Sequence, residues 1–381
     1  MEAVEPVTNT NQTDPTTTGR PVTGILQALA AAALFGINAP LSKLLLAPSA
    51  LGQVAPIPMA ALLYLGSGVG ALILLALQRS EIAAESEARL QRADAPWLIG
   101  ALLAGGVAAP IVLMFSLRIT PGATASLLLN FEGVATTLLA ALAFGESIGS
   151  RVWGAVGLIT GASAILSWEA GGAFGVSVGA LGVLAACVLW GIDNNFTRNI
   201  SAKNPLTIVT VKGLGAGLFS LILALIVGQP LPNIGAALGA MALGSVSYGL
   251  SITLFIRALR DLGTARTSAL FSSAPFIGSL ISFIILREPV SPQFLLALPL
   301  MLTGTLLLVT ERHAHRHQHR FMLHEHRHRH DDEHHDHEHA PDEIPPSGWH
   351  SHPHEHPPQT HTHQHAPDLH HRHAHADTDT D

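Results

Sequence analysis

Cysteine occurs once in this chain, at Cys187, which excludes an intrachain disulfide and a thiolate zinc site. Histidine is absent from the first 312 residues; all 23 histidines lie at or beyond His313. Charge is scarce too, at 12% of residues, about half the usual share. Beyond Leu308 lie 14 of the 27 acids and 6 of the 20 bases, so residues 1–310 hold only 13 acids and 14 bases. That is too few to wet the surface of a globule. No phosphate-cradling glycine loop, nucleophile elbow or Glu-flanked histidine pair occurs in this part, so neither an enzyme nor an ATP-driven pump is expected. Nucleic acid is not an expected partner. Residues 1–21 lack the basic-then-apolar layout of a cleaved signal peptide and are expected to form a short disordered lead.

What is present is apolar sequence in long runs. Hydrophobic residues make up 48% of the chain, and there are 35 glycines besides. Ten runs have membrane-spanning length: 22–44, 54–77, 97–117, 122–144, 150–168, 175–196, 206–227, 234–256, 264–286 and 292–310. A helix needs roughly 20 residues to cross the hydrocarbon. The expected fold is therefore an all-α membrane protein with the lipid bilayer as its main partner. The chain also repeats itself. Leu34-Phe35-Gly36-Ile37-Asn38-Ala39-Pro40-Leu41-Ser42-Lys43 returns at an offset of 155 as Leu189-Trp190-Gly191-Ile192-Asp193-Asn194-Asn195-Phe196-Thr197-Arg198. Leu117-Arg118 through Ala125-Ser126 to Glu146 returns at an offset of 142 as Leu259-Arg260 through Thr267-Ser268 to Glu288. Two matches in the same order indicate duplication, with halves at 22–168 and 175–310.

An odd number of spans per half makes the halves run through the bilayer in opposite directions. A cytoplasmic N-terminus places ten bases inside (Arg20, Arg79, Arg89, Arg92, Arg151, Arg198, Lys203, Arg257, Arg260 and Arg266) and three outside (Lys43, Arg118 and Arg287). Both termini are then expected in the cytoplasm, in a bacterial inner membrane. Lys43 and Arg198 fall on opposite faces. Inverted repeats of this kind serve alternating access. Gly157-x-x-x-Gly161 suits close helix packing and marks the fifth span as a candidate homodimer face.

Ionisable groups within a membrane are costly and usually functional. Lys212, Glu132 and Asp193 are the candidates here, with Asn38, Asn130, Asn194 and Tyr248 as polar companions. Lys212 suits a carboxylate or phosphate; Glu132 or Asp193 suits an ammonium or a coupling proton. The plainer alternative is that Lys212 pairs with Glu132, or snorkels. Glu146 and Glu288, at matched ends of spans four and nine, are expected to accept hydrogen bonds where the next span begins. Pro40, Pro56, Pro58, Pro110 and Pro275 lie in or near spans, where each removes a helical N–H.

The motifs Phe35-Gly36-Ile37-Asn38-Ala39-Pro40 and Trp190-Gly191-Ile192-Asp193, with Thr124-Ala125-Ser126-Leu127-Leu128-Leu129…Gly145-Glu146 and Thr267-Ser268-Ala269-Leu270…Arg287-Glu288-Pro289, give the chain its likeness. Over about 22–310 it resembles the drug/metabolite transporter superfamily, with two EamA-type repeats. The resemblance implies a ten-helix carrier with both ends cytoplasmic and a central cavity lined by helices other than five and ten. The first repeat departs from the family pattern, with Gly133 where the second keeps Pro275.

Residues 311–381 are polar and expected to be disordered. Their histidines alternate with other residues: His313, His315, His317 and His319; His324, His326, His328 and His330; His335, His337 and His339; His350, His352, His354 and His356; His361, His363 and His365; His371, His373 and His375. Imidazole suits Zn²⁺, Ni²⁺, Cu²⁺ and Co²⁺. No cofactor is required, but weak metal binding on the tail is expected, against the alternative of a solvated tail that gains charge as pH falls.

Two functions fit these features. One is a secondary carrier exporting a small organic metabolite as its substrate. The other is a divalent transition-metal transporter whose tail gathers the ion. The spans contain no histidine, one cysteine and few methionines, and Lys212 would repel a cation, so the metabolite carrier is favoured. A non-transporting scaffold leaves the intramembrane polar groups without a use.

Overall fold

The computed structural model describes residues 20–48, 53–78, 90–144, 149–169, 175–201, 203–262, 264–310, 313–318, 322–328, 350–356 and 360–365. Fifteen α-helices form among these residues: α1 (Arg20–Gly36), α2 (Asn38–Leu46), α3 (Pro56–Gln78), α4 (Ala95–Ala101), α5 (Ala109–Ile119), α6 (Gly122–Leu128), α7 (Phe131–Phe144), α8 (Ser150–Ser167), α9 (Val178–Arg198), α10 (Pro205–Val227), α11 (Ile234–Gly244), α12 (Ser251–Leu262), α13 (Thr264–Phe271), α14 (Ala274–Leu286) and α15 (Pro292–Val309). They group into ten segments. Nine are long and apolar enough to cross a membrane. The other is α8, which carries Ser150, Arg151, Ser163, Ser167 and three glycines within its 18 residues. The chain is thus a multi-pass membrane protein.

The span starts are written locally. Ser177, Asn204, Asn233 and Ser291 each accept a hydrogen bond from the backbone N–H three residues on, opening α9, α10, α11 and α15. Pro205 and Pro292 follow in the first turn, where a missing N–H costs nothing. Gly228, at φ 74°, closes α10.

Several spans expected to be continuous are broken, and proline explains two of the breaks. A proline ring clashes with the carbonyl four residues earlier. Pro40 stands four beyond Gly36, where α1 ends, and Pro275 four beyond Phe271, where α13 ends. The fourth span breaks at the repeat-equivalent place without a proline. There the Asn130 side-chain amide donates to the Leu127 carbonyl at 2.9 Å, an acceptor it shares with its own backbone N–H at 3.2 Å. Ser272, its equivalent, donates to the Ala269 carbonyl at 2.7 Å. The third and eighth spans contain matching π-helical stretches, Leu102–Ala108 and Ser245–Leu250. Wide turns of this type recur at functional sites.

Packing reveals a two-fold relation. α3 lies against α10, and α8 against α15. α1 meets the eighth span as α9 meets the third, and α6 packs on α14. The pairs on the axis are antiparallel. Gly213 faces Gly68 and Tyr64, while Gly217 faces Leu65 and Ala61. Likewise Arg151 bonds Thr310 at 2.8 Å, whereas Gly304 meets Ala155 and Ile159. Equivalent helices running antiparallel across an axis in the membrane plane make an inverted repeat. Lys43 reaches Thr120 at the far end of the third span, and Lys203, just past Arg198, pairs with Asp94 at its near end. The ends that carry Lys43 and Arg198 are therefore opposite.

The interior is built from small side chains. Ala28, Ala31, Ala60, Ala61, Ala109, Ala216, Ala240 and Ala297 are all buried. A Cβ on Gly213 would lie 2.5 Å from the Gly68 nitrogen, so α3 and α10 touch backbone to backbone. Leu63, Leu113, Met114 and Leu127 are buried with these alanines, while many other large apolar residues face outward, with Leu142 84% and Ile234 80% exposed. Such an arrangement suits lipid, not water.

In the tail, whose composition predicts no regular structure, the described residues form four short strands: β1 (His313–Gln318), β2 (Met322–His328), β3 (His350–His356) and β4 (Thr360–His365). β1 pairs antiparallel with β4, and β2 with β3. The alternation of histidine with other residues is a period-two pattern, which extended chain accommodates. The N-terminal lead (1–19), most of the 78–96 loop, Glu146 and the tail histidines 319, 330, 335–339 and 371–375 lie outside the described residues.

Candidate functional site

The repeated motif sets the centre of the molecule. Asn38 opens α2 just past the proline-induced break, and Asp193 occupies the equivalent place on α9; each is only 5% exposed. Their partners are equivalent as well. Asn38 donates to Ser247 Oγ at 2.8 Å, within the second π stretch. Asp193 lies against Gly105, the counterpart of Ser247 in the first, where a Cβ would occupy the position of the carboxylate. The wide turn also frees the Gly105 carbonyl, which accepts from Tyr64 at 2.6 Å and from Trp190 Nε1 at 3.0 Å.

Charge breaks the symmetry. Lys212 Nζ donates to both Asp193 oxygens, at 2.6 and 2.8 Å, and the Thr197 hydroxyl donates to Asp193 Oδ1 at 2.9 Å. Both charged side chains are largely withdrawn from solvent, at 15% and 8% exposed. α3 and α10 are both 23 residues long and both begin with proline, so Lys212 corresponds to Leu63. The first half thus has Asn38 and Leu63 where the second has an ion pair.

Glu132 sits one residue into α7. Its Oε1 accepts from Asn194 Nδ2 at 2.9 Å, and the same amide reaches Thr136 Oγ1 at 3.1 Å. Among the described residues no lysine or arginine lies within ion-pair distance of it. Glu132, Asn38, Tyr248, Ser126 and Trp190 line a cavity with Phe35, Leu113, Leu129 and Pro275. The cavity is small, with room for about one water.

Six of the seven residues singled out from sequence fall in three hydrogen-bonded clusters, and Glu132, Asn38 and Tyr248 among them line the cavity. Asp193 and Lys212 form an ion pair, Glu132 and Asn194 an amide-held carboxylate, Asn38 and Tyr248 the facing wall. Lys212 pairs with Asp193 rather than with Glu132. Asn130 belongs elsewhere: besides capping α6, its Oδ1 accepts from Thr305 of α15 at 3.3 Å. Tyr64 and Gly105 were missed, while Ser247 was visible as a polar residue of the eighth span and Trp190 as part of the repeated motif. A π turn leaves no clear sequence signature, so nothing marked the Gly105 carbonyl as an acceptor.

One end of the bundle is tied across the repeats. Lys43 Nζ donates to the Leu117 and Thr120 carbonyls, at 2.8 and 2.6 Å, where the α5 dipole is negative. Glu288 accepts from the Gly122 and Ala123 amides, at 2.7 and 2.9 Å, where α6 begins. Arg287, in the left-handed region at φ 51°, ends α14 and turns the chain toward that contact. Glu288 does accept hydrogen bonds at a span start, but at the fourth span instead of the tenth that follows it.

Comparison with known proteins gives this architecture a family. The model of the EamA-like transporter family matches residues 22–168 and 177–310. An uncharacterized transporter of Methanothermobacter thermautotrophicus is 31% identical over 304 residues, 75% of this chain and 85% of that protein. A probable terminal-alkyne amino-acid exporter of Streptantibioticus cattleyicolor is 28% identical over 192 residues, 49% of this chain and 64% of that one. A crystal structure aligns with a TM-score of 0.54 at 18% identity, over 74% of this chain and 94% of its own, which shows the fold alone. With two family matches over the duplicated halves, the chain belongs to the EamA-like transporter family.

Proposed function

We propose that this chain is a secondary carrier that exports a small, amine-bearing organic metabolite by alternating access. One observation carries the reading: Glu132 is a cavity-wall carboxylate held by an amide, while the nearby lysine is already neutralised by Asp193. A carboxylate without a cation favours an ammonium, or a proton when the substrate has left. Asn38 and Tyr248 on the facing wall supply hydrogen-bonding groups for the polar end. The Streptantibioticus relative, described as an amino-acid exporter, is consistent with that chemistry. No cavity-lining residue is histidine, cysteine or methionine, which disfavours passage of a soft metal ion.

The carrier works without catalysis or ATP, driven by a proton or substrate gradient. It sits in a bacterial inner membrane with both termini cytoplasmic, the orientation supported by ten bases against three. Gly157 and Gly161 of α8 would meet nothing on gaining a Cβ, so that face is open to a second copy. The test is counterflow in proteoliposomes with a panel of amino acids and amines. Glu132→Gln is expected to abolish exchange of the accepted substrate at normal insertion. Undiminished exchange would overturn the proposal.

A further inference from the structure

Opposite Glu132 the cavity wall comes from the other half of the molecule. At the repeat offset of 142, Glu132 corresponds to Ala274 and Gly133 to Pro275. These positions open the second helix of a broken span, α7 in one half and α14 in the other, and Glu132, Ala274 and Pro275 all line the cavity. The first-turn amides of a helix have no partner within it, and its dipole favours an anion there. α7 carries a carboxylate of its own in that turn; α14 carries none. Ser273, at the start of α14, turns its hydroxyl back to the Leu270 carbonyl at 2.7 Å instead of capping the helix. Ser126 is the second sign of a missing group. It is 1% exposed and lines the same cavity, yet its hydroxyl has no hydrogen-bond partner among the described residues. A Cβ on Gly278, one turn into α14, would lie 3.0 Å from that oxygen. A buried hydroxyl left unbonded is costly, so its use is to meet something that comes and goes.

We infer that Ser126 and the start of α14 form an anion subsite, which takes the carboxylate of a zwitterionic substrate whose ammonium meets Glu132. The inference rests on the amine-export reading above and narrows it to amino acids. Ser126 donates its hydroxyl hydrogen to a carboxylate oxygen, and the α14 dipole supplies partial positive charge. Half-helix starts serve anionic substrate groups in this way in other carriers. The cavity has room for about one water, so seating a whole amino acid needs the opening that alternating access provides.

The test is counterflow in proteoliposomes holding the full-length protein. Each standard amino acid is set against the amine it becomes without its α-carboxylate. Wild type is expected to exchange at least one amino acid about tenfold or more faster than its amine, the worth of a hydrogen bond to a charged group. Ser126→Ala is expected to narrow that preference about tenfold, through KM rather than the maximal rate. Its melting temperature in detergent should hold, because the lost hydroxyl bonds nothing in the protein. Amines exchanged as fast as their amino acids, with that exchange still lost in Glu132→Gln, would overturn the subsite and leave the amine reading standing. Exchange of neither class would overturn both. An unchanged preference in Ser126→Ala would overturn the subsite, and so would a lower melting temperature, which would make Ser126 structural.

Discussion

Lys212 and Asp193 neutralise each other inside the bundle, and the geometry makes each the other's condition for burial. Removing one partner of a buried pair strands a charge, at a cost of about 3–5 kcal/mol. Lys212→Met and Asp193→Asn are each expected to lower the melting temperature in detergent. The double variant should recover most of that loss while remaining inactive in exchange. If the double variant melts as low as the sum of the singles, the pair contributes nothing by pairing. Gly105 makes a sharper prediction. A methyl there must displace the Asp193 carboxylate, so Gly105→Ala is expected to destabilise the fold by about 1–3 kcal/mol and reduce exchange. Ser247→Ala, at the equivalent position, displaces nothing and loses the bond from Asn38 together with the hydroxyl's own bond to the Leu243 carbonyl, a cost of about 1 kcal/mol. Thermal melts of both variants check the order.

At the scale of elements, the breaks in the first, fourth and ninth spans place the polar groups where they can meet. Asn130 holds the fourth break without proline, so Asn130→Leu should let α6 and α7 merge and carry Glu132 off the cavity wall. The readout is loss of exchange with normal insertion, and rescue by Asn130→Ser, whose hydroxyl can make the bond that Ser272 makes. Glu288 ties α14 to α6 across the repeats. Glu288→Gln keeps one acceptor of two and is expected to cost about 1–2 kcal/mol, seen as a lower melting temperature.

These elements also show what sequence could and could not tell. Run length and the recurring motif exposed ten spans and the duplication, because burial in lipid leaves a compositional record. The prolines flagged two breaks. The third escaped, since Gly133 replaces the expected proline and an asparagine amide does its work. Lys212 and Asp193 were both visible as intramembrane charges. Which carboxylate the lysine takes depends on the facing of three helices, and that is a property of packing. Tyr64, and the bond made by Trp190 of the repeated motif, were invisible for the same reason: the acceptor is a backbone carbonyl released by a π turn.

For the whole molecule, the two halves are alike in path and unlike in charge. α3 lies antiparallel against α10, and α8 against α15, across the axis that relates the halves. The central claim is that inversion. It is tested most directly by single cysteines at Ala47 and Ser201, exposed positions just beyond the equivalent first and sixth spans, in a Cys187→Ser background. With a membrane-impermeant thiol reagent added to intact cells, one position should label while the other labels only after the membrane is opened. Labelling of both from the same side would contradict the account.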